Sequence, residues 1–537
     1  MKKQITILAL IFATLFANAQ SIIAPDTINT NTVWADTIYL NSDVYIENGV
    51  QLKIKPGATV IANGWYGIDC QGQLLAQGTE LDSILFTVID TTNFYDLTKV
   101  LGGWRGINFD NTPSTNDSSI INFCIIEYGK ACDVANGTKL KGGAIYSYFF
   151  SKLKITNSNI RYNHSYSDGG AIYLMVSSVN ILNNIIEHSR SLTQGGGIAV
   201  IGTSVVLIRD NIFRNNIAGT KEGWFPYPDG FLYQGDGAAI CISISGTDIN
   251  TNRTKVISNS FFNNSARSIF YESSIHTLFA NNILCNNRGS AISNGGGPFS
   301  HCIYLNNTIS KNNPVNSTII LMNSTLFYNN IVSENLSDNH NYDSLIIVHT
   351  GNSTPNYGTH CNIKYNYLQQ ETPTDGAGNI YGSAPQFINP SPDSSFVSNW
   401  QDYDWRLQPT SPCINAGIID TTGLELPEED AFGNPRIFGN RIDIGAYENQ
   451  TEVWNNVFSL EKNMQITYYP NPVQNSLNIK IESKELINEN LEIYDINGKL
   501  LKTMQISNNT ITIDVSDLET GVYYLRLGGL SKEFIKY

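Results

Sequence analysis

The middle of the chain carries carboxylates and proton carriers in loop-like sequence. Three aspartates each stand beside a glycine, and two histidines and an arginine occur in neighbouring loops. Two carboxylates at a defined separation can hydrolyse a glycosidic bond, whereas a basic side chain with carboxylate-bound Ca²⁺ can remove a proton next to a uronate. The candidate catalytic residues are Asp168, Asp229, Asp236, His164, His188 and Arg190. Asp-Gly pairs are also ordinary turn sequences, and the turn interpretation is favoured for each aspartate.

Aromatic side chains cluster in the longest of these loops, residues 218–236. Aromatic planes with a polar edge suit the CH faces and hydroxyl groups of sugars. The candidate ligand-binding residues are Trp224, Tyr227 and Tyr233, joined by Tyr166 from a neighbouring loop. We also expect Lys139 and Lys141 on this side. No cofactor or metal site is predicted, and Ca²⁺ on the aspartates stays open as an alternative.

A repeated phrase must position these loops: an Asn, two or three apolar residues, then another polar residue. It recurs between residues 124 and 335 with a period of about 25 residues and one doubled step between Asn211 and Ser260. Examples are Asn159-Ile160-Arg161-Tyr162-Asn163, Asn211-Ile212-Phe213 and Asn330-Ile331-Val332. A period of this length indicates stacked supersecondary units.

A second phrase accompanies the first, as in Gly142-Gly143-Ala144-Ile145-Tyr146 and Gly169-Gly170-Ala171-Ile172-Tyr173. The apolar runs are too short for helices and rich in β-formers, which predicts parallel strands coiled around an axis. Asn tolerates left-handed backbone angles and can bond to the next turn, and paired Gly allows sharp bends. Both phrases are therefore interpreted as scaffolding. The loops between them vary in length and are predicted to line one groove.

Residues 33–448 resemble the right-handed parallel β-helix family of secreted bacterial proteins. Val50-Gln51-Leu52-Lys53-Ile54-Lys55-Pro56-Gly57 and Trp104-Arg105-Gly106-Ile107-Asn108-Phe109 are similar to its opening turns. The family contains polysaccharide lyases, glycosidases, epimerases and surface proteins without known activity. The resemblance implies an all-β solenoid over residues 20–388, followed by a small C-terminal β-sandwich.

Composition and charge narrow the class of protein. The formal net charge of −14 argues against broad binding to nucleic acids or anionic membranes. Lys2 and Lys3, the apolar stretch 5–16 and Ala17-Asn18-Ala19 predict a signal peptide over residues 1–19. No other apolar stretch approaches the length of a membrane span. The eight cysteines have no zinc spacing; a Cys124–Cys132 bridge and buried thiols both remain open.

A different pattern begins near residue 389. Ser411-Pro412-Cys413-Ile414-Asn415-Ala416-Gly417, Phe432-Gly433-Asn434-Pro435-Arg436 and Asp443-Ile444-Gly445-Ala446-Tyr447-Glu448 resemble the choice-of-anchor Q region of β-helix surface proteins. We expect residues 389–448 to form an end cap, since a solenoid otherwise exposes open strand edges. The cap is favoured over a catalytic cluster of Asp430, Arg436, Arg441 and Asp443.

The last segment, residues 464–537, follows a polar linker at 449–463. Tyr469-Pro470-Asn471-Pro472, Asp495-Ile496-Asn497-Gly498-Lys499 and Gly521-Val522-Tyr523-Tyr524 resemble the C-terminal sorting domain (type A) of the type IX secretion system of Bacteroidetes. Alternating apolar residues predict a sandwich of about seven strands. The resemblance implies contact with the type IX machinery, secretion or surface display, and surface lipopolysaccharide as an alternative anchor.

Two functions are compatible with this sequence. The favoured one is a non-catalytic secreted or cell-surface protein that binds an extracellular polysaccharide or mediates adhesion. The alternative is a polysaccharide lyase or glycoside hydrolase with its site in the loop groove.

Overall fold

The computed structural model describes residues 21–132, 139–219, 235–244, 254–273, 276–295, 301–314, 317–322, 325–336, 346–349, 361–369, 376–382, 384–439, 441–450, 466–481, 486–487, 489–496, 498–527 and 530–537. Two compact units are present, Met1–Asn449 and Gln450–Tyr537. The predicted signal peptide and most of the predicted linker lie outside the described residues.

The first unit contains three long parallel sheets, which the chain visits in turn. Sheet 1 stacks Ser21–Ile23, Thr37–Leu40, Thr59–Ala62, Ile84–Val88, Cys124–Glu127, Asn159–Arg161, Ile185–Glu187, Ile212–Arg214, Ser260–Phe262, Ile283–Cys285, Thr308–Ser310, Ile331–Ser333, Tyr367–Leu368 and Ile380–Tyr381. Sheet 3 stacks Thr32–Trp34, Gln51–Ile54, Gln73–Gln77, Ser119–Asn122, Leu153–Thr156, Val179–Leu182, Leu207–Arg209, Thr254–Ile257, Thr277–Ala280, Ile303–Leu305, Leu326–Tyr328 and Asn362–Lys364.

Sheet 2 has a main row and a side row. The main row stacks Thr27–Ile28, Val44–Ile46, Gly67–Cys70, Gly106–Asp110, Ile145–Tyr148, Ile172–Met175, Ile198–Ile201, Ile240–Ser243, Ser265–Ser273, Arg288–Asn294, Ile319–Met322 and Ile346–His349. The side row consists of the short strands Lys130–Ala131, His164–Ser165, Arg190–Ser191 and Ile217–Ala218, and it joins the main row at Ser265–Ser273. The predicted all-β class and parallel β-helix are confirmed.

Alternate residues of each strand point into the coil and stack on their equivalents above and below. In sheet 1 the register places Ile186 beside Phe213 and Phe213 beside Phe261, and the two Phe rings stack at 5.0 Å. All three side chains are fully buried. Burying a side chain of this size contributes about 1.5–3 kcal/mol, so the repeated apolar runs supply the solenoid core.

Two columns of asparagines join successive coils at the corners on either side of sheet 1. After the first Asn of each column, every Asn Oδ1 accepts from both the backbone N–H and the Nδ2 of the equivalent Asn one coil earlier; for Asn211 and Asn259 both distances are 2.9 Å. The first column is Asn184, Asn211, Asn259, Asn282, Asn307, Asn330, Asn366 and Asn379. The second includes Asn216, Asn264, Asn287, Asn312 and Asn335. These bonds give the recurrent Asn its scaffold role.

The left-handed turn is made by the residue before each ladder Asn. Asn183, Asn281 and Asn306 have φ of 56°, 56° and 55°, and each is followed by a buried ladder Asn. The sequence interpretation assigned both the left-handed turn and the hydrogen bonds between coils to a single Asn. In the structure, one residue adopts the left-handed conformation and the Asn that follows it makes the hydrogen bonds.

Residues 385–448 fold back along the flank of the last coils. Their strands Phe387–Asn389 and Asp404–Leu407 pair antiparallel, and a short 3-10 helix spans Trp400–Asp402. The segment buries the outward apolar residues of sheet 1, with Trp400 stacked 5.2 Å from Phe262. Its backbone also satisfies corner asparagines, since Val397 O accepts from Asn263 at 2.6 Å. We expected this segment to cap the end of the solenoid. Its contacts extend along the side of the last coils.

The second unit contains two antiparallel sheets. One is formed by Ile466–Tyr469, Ser476–Ile481 and Thr510–Asp514, and the other by Asn490–Tyr494, Leu500–Gln505, Gly521–Leu527 and Leu530–Lys536. Side chains from both sheets share one core, which includes Ile479, Ile493 and Phe534. This is the predicted seven-stranded β-sandwich.

Candidate functional site

A column of polar side chains lies at the turns that lead into the main row of sheet 2. The backbone bonds Gly142 N to Asp168 O (3.1 Å), Gly169 N to Gln194 O (3.0 Å) and Gly195 N to Asp236 O (3.0 Å) stack these turns in register. The column therefore consists of Lys141, Asp168, Gln194, Asp236 and Arg267, which we call the polar column.

Neighbours in the polar column pair with one another at both ends. Lys141 Nζ lies 3.2 Å from the Asp168 carboxylate, which also accepts from Thr193 Oγ1 at 2.6 Å. Asp236 is 5% exposed and accepts from Arg267 Nε at 2.8 Å and Ser268 Oγ at 3.1 Å. Two of the three predicted aspartates therefore lie in one column, each with its own polar partners.

Beside the polar column runs a second column on the outer face of sheet 2, which we call the aromatic column. The strand register aligns Asn108, Tyr146, Tyr173, Ala199, Cys241 and Tyr271. Tyr146 and Tyr173 stack at 5.5 Å with their rings 10° from parallel. Lys141 Nζ lies 3.1 Å from the Tyr173 hydroxyl and 4.7 Å from the centre of its ring.

The aromatic column is interrupted by two small residues, Ala199 and Cys241. With a strand spacing of about 4.8 Å, the three steps from Tyr173 to Tyr271 span roughly 14 Å. Ala199 and Cys241 are fully buried although they lie outside the solenoid core. The gap is bordered by the polar column, from which Gln194 Oε1 approaches Cys241 Sγ at 3.6 Å.

The protonation states of the tyrosines and of Lys141 determine which hydrogen bonds this face can make. Burial raises the pKa of Tyr146 to about 12, and burial likewise raises the pKa of Tyr173, so both hydroxyls stay protonated. Although burial opposes it, the Tyr173 hydroxyl and Asp168 carboxylate raise the pKa of Lys141 above its ordinary value. The Lys141 ammonium is therefore cationic at neutral pH.

His164 and Arg190 lie in the side row, beneath an insertion formed by residues 89–103. His164 is 4% exposed, and the rings of Phe94 and Tyr95 lie 6.1 and 6.0 Å from its imidazole. Burial, reinforced by Arg190 and Lys130, lowers the pKa of His164 to about 3. The imidazole is therefore neutral near pH 7 and is not a ready acid.

His188 occupies the corner of sheet 1 instead. Its ring stacks on Tyr162 at 4.8 Å, and its Nε2 lies 3.3 Å from Asn215 Nδ2. Burial lowers the pKa of His188. The structure therefore divides the candidate residues into the polar column, the covered side row and this corner.

The remaining candidates border the polar column or lie outside the described residues. Tyr166 N donates to Ala131 O at 2.9 Å, and the adjacent Ser167 N donates to Leu140 O at 2.8 Å, next to Lys141. Outside the description are Asp229, Trp224, Tyr227 and Tyr233. Gly219 and Gly235, the described residues that flank the loop that carries them, lie close together beside the polar column: a Cβ on Gly235 would be 2.5 Å from Gly219 N and 2.0 Å from Thr193 O.

Three parts of this site were not predicted from the sequence: the aromatic column, Gln194 and the insertion at 89–103. The first had a visible signal, since Tyr146 and Tyr173 end the same Gly-Gly-Ala-Ile-Tyr phrase. Gln194 likewise precedes a glycine pair at the position that Asp168 occupies one coil earlier. The insertion has no repeat that would place it over His164.

A separate buried charged cluster lies in the flanking segment. Arg436 is 1% exposed and lies 3.1 Å from Glu448, and its guanidinium donates to the carbonyls of Ala446 and Asp443 at 3.0 Å. Asp430 accepts from the N–H groups of Phe432, Asn434 and Glu448. Arg441 donates to the Gly417 carbonyl. These contacts hold the segment's own backbone together.

Within the part of the chain that the structure describes, no group of three or more His, Cys, Asp or Glu residues is arranged to hold a metal ion. In the same residues, no helix is long and apolar enough to span a bilayer. Cys124 and Cys132 are separate buried thiols, whose Sγ atoms lie 3.5 Å from Ala76 O and 3.4 Å from Lys99 O.

The fold and these surfaces define a parallel β-helix with a separate C-terminal β-sandwich. Residues 467–536, within the sandwich, match the family described as the secretion system C-terminal sorting domain. A comparison with curated proteins gave no match. The chain thus carries a type IX sorting domain, which indicates export to the cell surface or the extracellular space and contact with the secretion machinery.

Proposed function

We propose that this exported protein binds an extracellular polysaccharide, without cleaving it, on the outer face of sheet 2. The observation that carries the proposal is the alignment of the aromatic column with the polar column. Tyr146 and Tyr271 are partly exposed and offer aromatic area, and the buried Tyr173, 1% exposed, supports the Tyr146 ring from behind. Lys141, Asp168 and Gln194 offer donors and acceptors at strand spacing. A glycan chain repeats along its length and suits a surface whose groups repeat every 4.8 Å or so.

The sorting domain supports an extracellular ligand but does not define it. The protonated tyrosines and the Lys141–Asp168 pair favour a neutral or weakly anionic glycan over a dense polyuronate. The net charge of −14 acts in the same direction, since a strongly anionic chain would be repelled. Anchoring to lipopolysaccharide after export is part of the same proposal.

The alternative is a glycoside hydrolase or polysaccharide lyase that uses Asp168 and Asp236. These residues occupy equivalent positions two strands apart, or about 9–10 Å by strand spacing, which is near the upper limit for inverting hydrolases. Asp236, however, is held by Arg267 and Ser268, and Asp168 by Lys141 and Thr193. Non-catalytic binding is therefore the better-supported function.

A glycan array followed by product analysis separates the two functions. The full-length mature protein is incubated with neutral and uronic-acid polysaccharides of plant, algal and bacterial origin. Retention on a subset of glycans without new reducing ends or unsaturated uronates is the expected result. Cleavage products that disappear in D168N and D236N variants would favour the enzyme, and no retention on any glycan would contradict binding.

A further inference from the structure

The two outer faces of the C-terminal β-sandwich differ sharply in chemistry. On the three-stranded sheet, alternate residues face outward and are polar along most of the sheet: Thr467, Asn478, Lys480, Thr510, Thr512 and Asp514. Tyr469 stands at the end of the edge strand on this side. Such a face is what a water-exposed antiparallel sheet requires.

The four-stranded sheet instead carries an apolar patch at one end of its outer face, with Glu492 and Arg526 towards the other end. The strand register places Tyr494 opposite Tyr524 and next to Leu500, and Val522 opposite Ile535. Leu500, Tyr524 and Ile535 are 46%, 39% and 41% exposed, whereas the intervening Tyr523, Leu525 and Phe534 point into the core. We call Tyr494, Leu500, Val522, Tyr524 and Ile535 the apolar face.

Burial inside the sandwich does not account for these residues, because the core is already filled from the other side of the same strands. Contiguous exposed apolar groups usually mark a surface that another molecule covers. The sequence family of this unit is that of a sorting domain, so its partner is the export machinery. The apolar face is therefore the candidate surface for binding to the secretion machinery.

The charges around the apolar face point to a protein and not to a lipopolysaccharide head group. Glu492 lies opposite Arg526 in the strand register, and Glu533 lies opposite Tyr524. Glu492 also accepts from the Tyr494 hydroxyl at 2.6 Å. A phosphate-rich sugar would favour a cluster of cations, whereas apolar groups with mixed charges at the rim are typical of protein interfaces.

We propose that the sorting domain docks through its apolar face onto a protein of the type IX machinery that presents a complementary apolar surface. This proposal is independent of glycan binding, since it concerns only the second unit. Because apolar contact dominates, docking should depend weakly on salt concentration.

The test compares export of full-length chains in a host with type IX secretion. L500S/Y524S and, separately, I535S disrupt the apolar face, and T510S/T512S alters the polar face of the same domain by a similar number of exposed positions. We expect the two apolar-face variants to accumulate in the periplasm, with at least a five-fold lower amount outside the cell. The control should be exported as the wild type is.

Folding is checked on the same chains by the thermal unfolding of protein purified from the periplasm. I535S lies across the sheet from Leu500, so it provides an independent result if the double variant loses its fold. Normal export of either apolar-face variant with an unchanged unfolding temperature would overturn the proposal. Equal retention of T510S/T512S would overturn it too, because the effect would then not belong to one face.

Discussion

Lys141 Nζ lies 3.2 Å from the carboxylate of Asp168 and 3.1 Å from the hydroxyl of Tyr173. One ammonium group thus joins the polar column to the aromatic column. Asp168 is also fixed by Thr193, and Tyr173 by stacking on Tyr146. These contacts hold the proposed binding surface in one geometry before a ligand arrives, which lowers the entropic cost of binding.

The K141M variant should weaken glycan binding without unfolding the protein. The Lys141–Asp168 pair is partly exposed, so its loss should cost less than about 1 kcal/mol of stability. The loss of one cationic donor and of the fixed Asp168 rotamer should reduce affinity about ten-fold. Titration calorimetry with a glycan that the wild type retains, alongside thermal unfolding, measures both effects. Unchanged affinity would exclude Lys141 from the surface.

Asn259→Ala should be among the most destabilising single changes in the solenoid. Asn259 Oδ1 accepts two hydrogen bonds from Asn211, and its own amide donates to Asn282 Oδ1 and to the Ile208 and Ile257 carbonyls. The variant leaves several buried polar groups unpaired, at a cost of about 2–4 kcal/mol. The urea midpoint of unfolding measures this loss. Asn63→Ala, at an exposed amide, is the matched control and should shift the midpoint very little.

The flanking segment should loosen as pH rises. Burial raises the pKa of Glu448 to about 8 and that of Asp443 to about 6, against ordinary values of 4.5 and 3.8. The folded segment therefore holds protons that the unfolded segment releases, and the stability they contribute is lost as pH rises through these folded values. Asp430 and Arg436 complete the set of charges in this cluster.

Hydrogen exchange of the Ala431 amide, which donates to Ala446 O at 2.9 Å, reports on this segment. After correction for the intrinsic rate, exchange in the wild type should accelerate as pH rises from about 4.5 to 8 and level off above that. E448Q, which cannot ionise, should show a flatter profile. The same steep profile in E448Q would assign the effect to another group.

The coil could be predicted because each of its elements is local and repeated. Asn and Gly phrases such as Asn211 with Gly237 recur at the turns, so a single sequence shows their period. The sequence did not show that Asn281 makes the left-handed turn whereas Asn282 makes the hydrogen bonds between coils, because Asn is common in turns and either residue fits that role. Only the stacking of coils shows which amide faces the ladder.

The candidate site was less predictable because contacts between distant segments decide it. His164 resembles a free proton carrier in sequence, yet Phe94 from an insertion about 70 residues earlier covers it. The packing of the flanking segment against sheet 1 is visible in the sequence of the strands that it covers. Phe261-Phe262 and Ile283-Leu284-Cys285 are apolar on both faces, which is typical of strands covered on both sides.

Removal of residues 464–537 should abolish export. The sorting domain directs export, and the solenoid has its own separate core. The truncated protein should therefore fold and remain in the periplasm, where immunoblotting of cell fractions detects it. Secretion of the truncated chain at the wild-type level would show that another signal directs export.

The affinity of Y146A for a glycan decides whether the aromatic column is the binding surface. Tyr146 is half-buried in the column, whereas Tyr45 is a 43% exposed tyrosine three strands away on the same face of sheet 2. Calorimetric titration of one retained glycan into the wild type, Y146A and Y45A should show at least a ten-fold loss for Y146A alone. Equal affinities for all three proteins, with unchanged unfolding temperatures, would show that the glycan does not bind at the aromatic column.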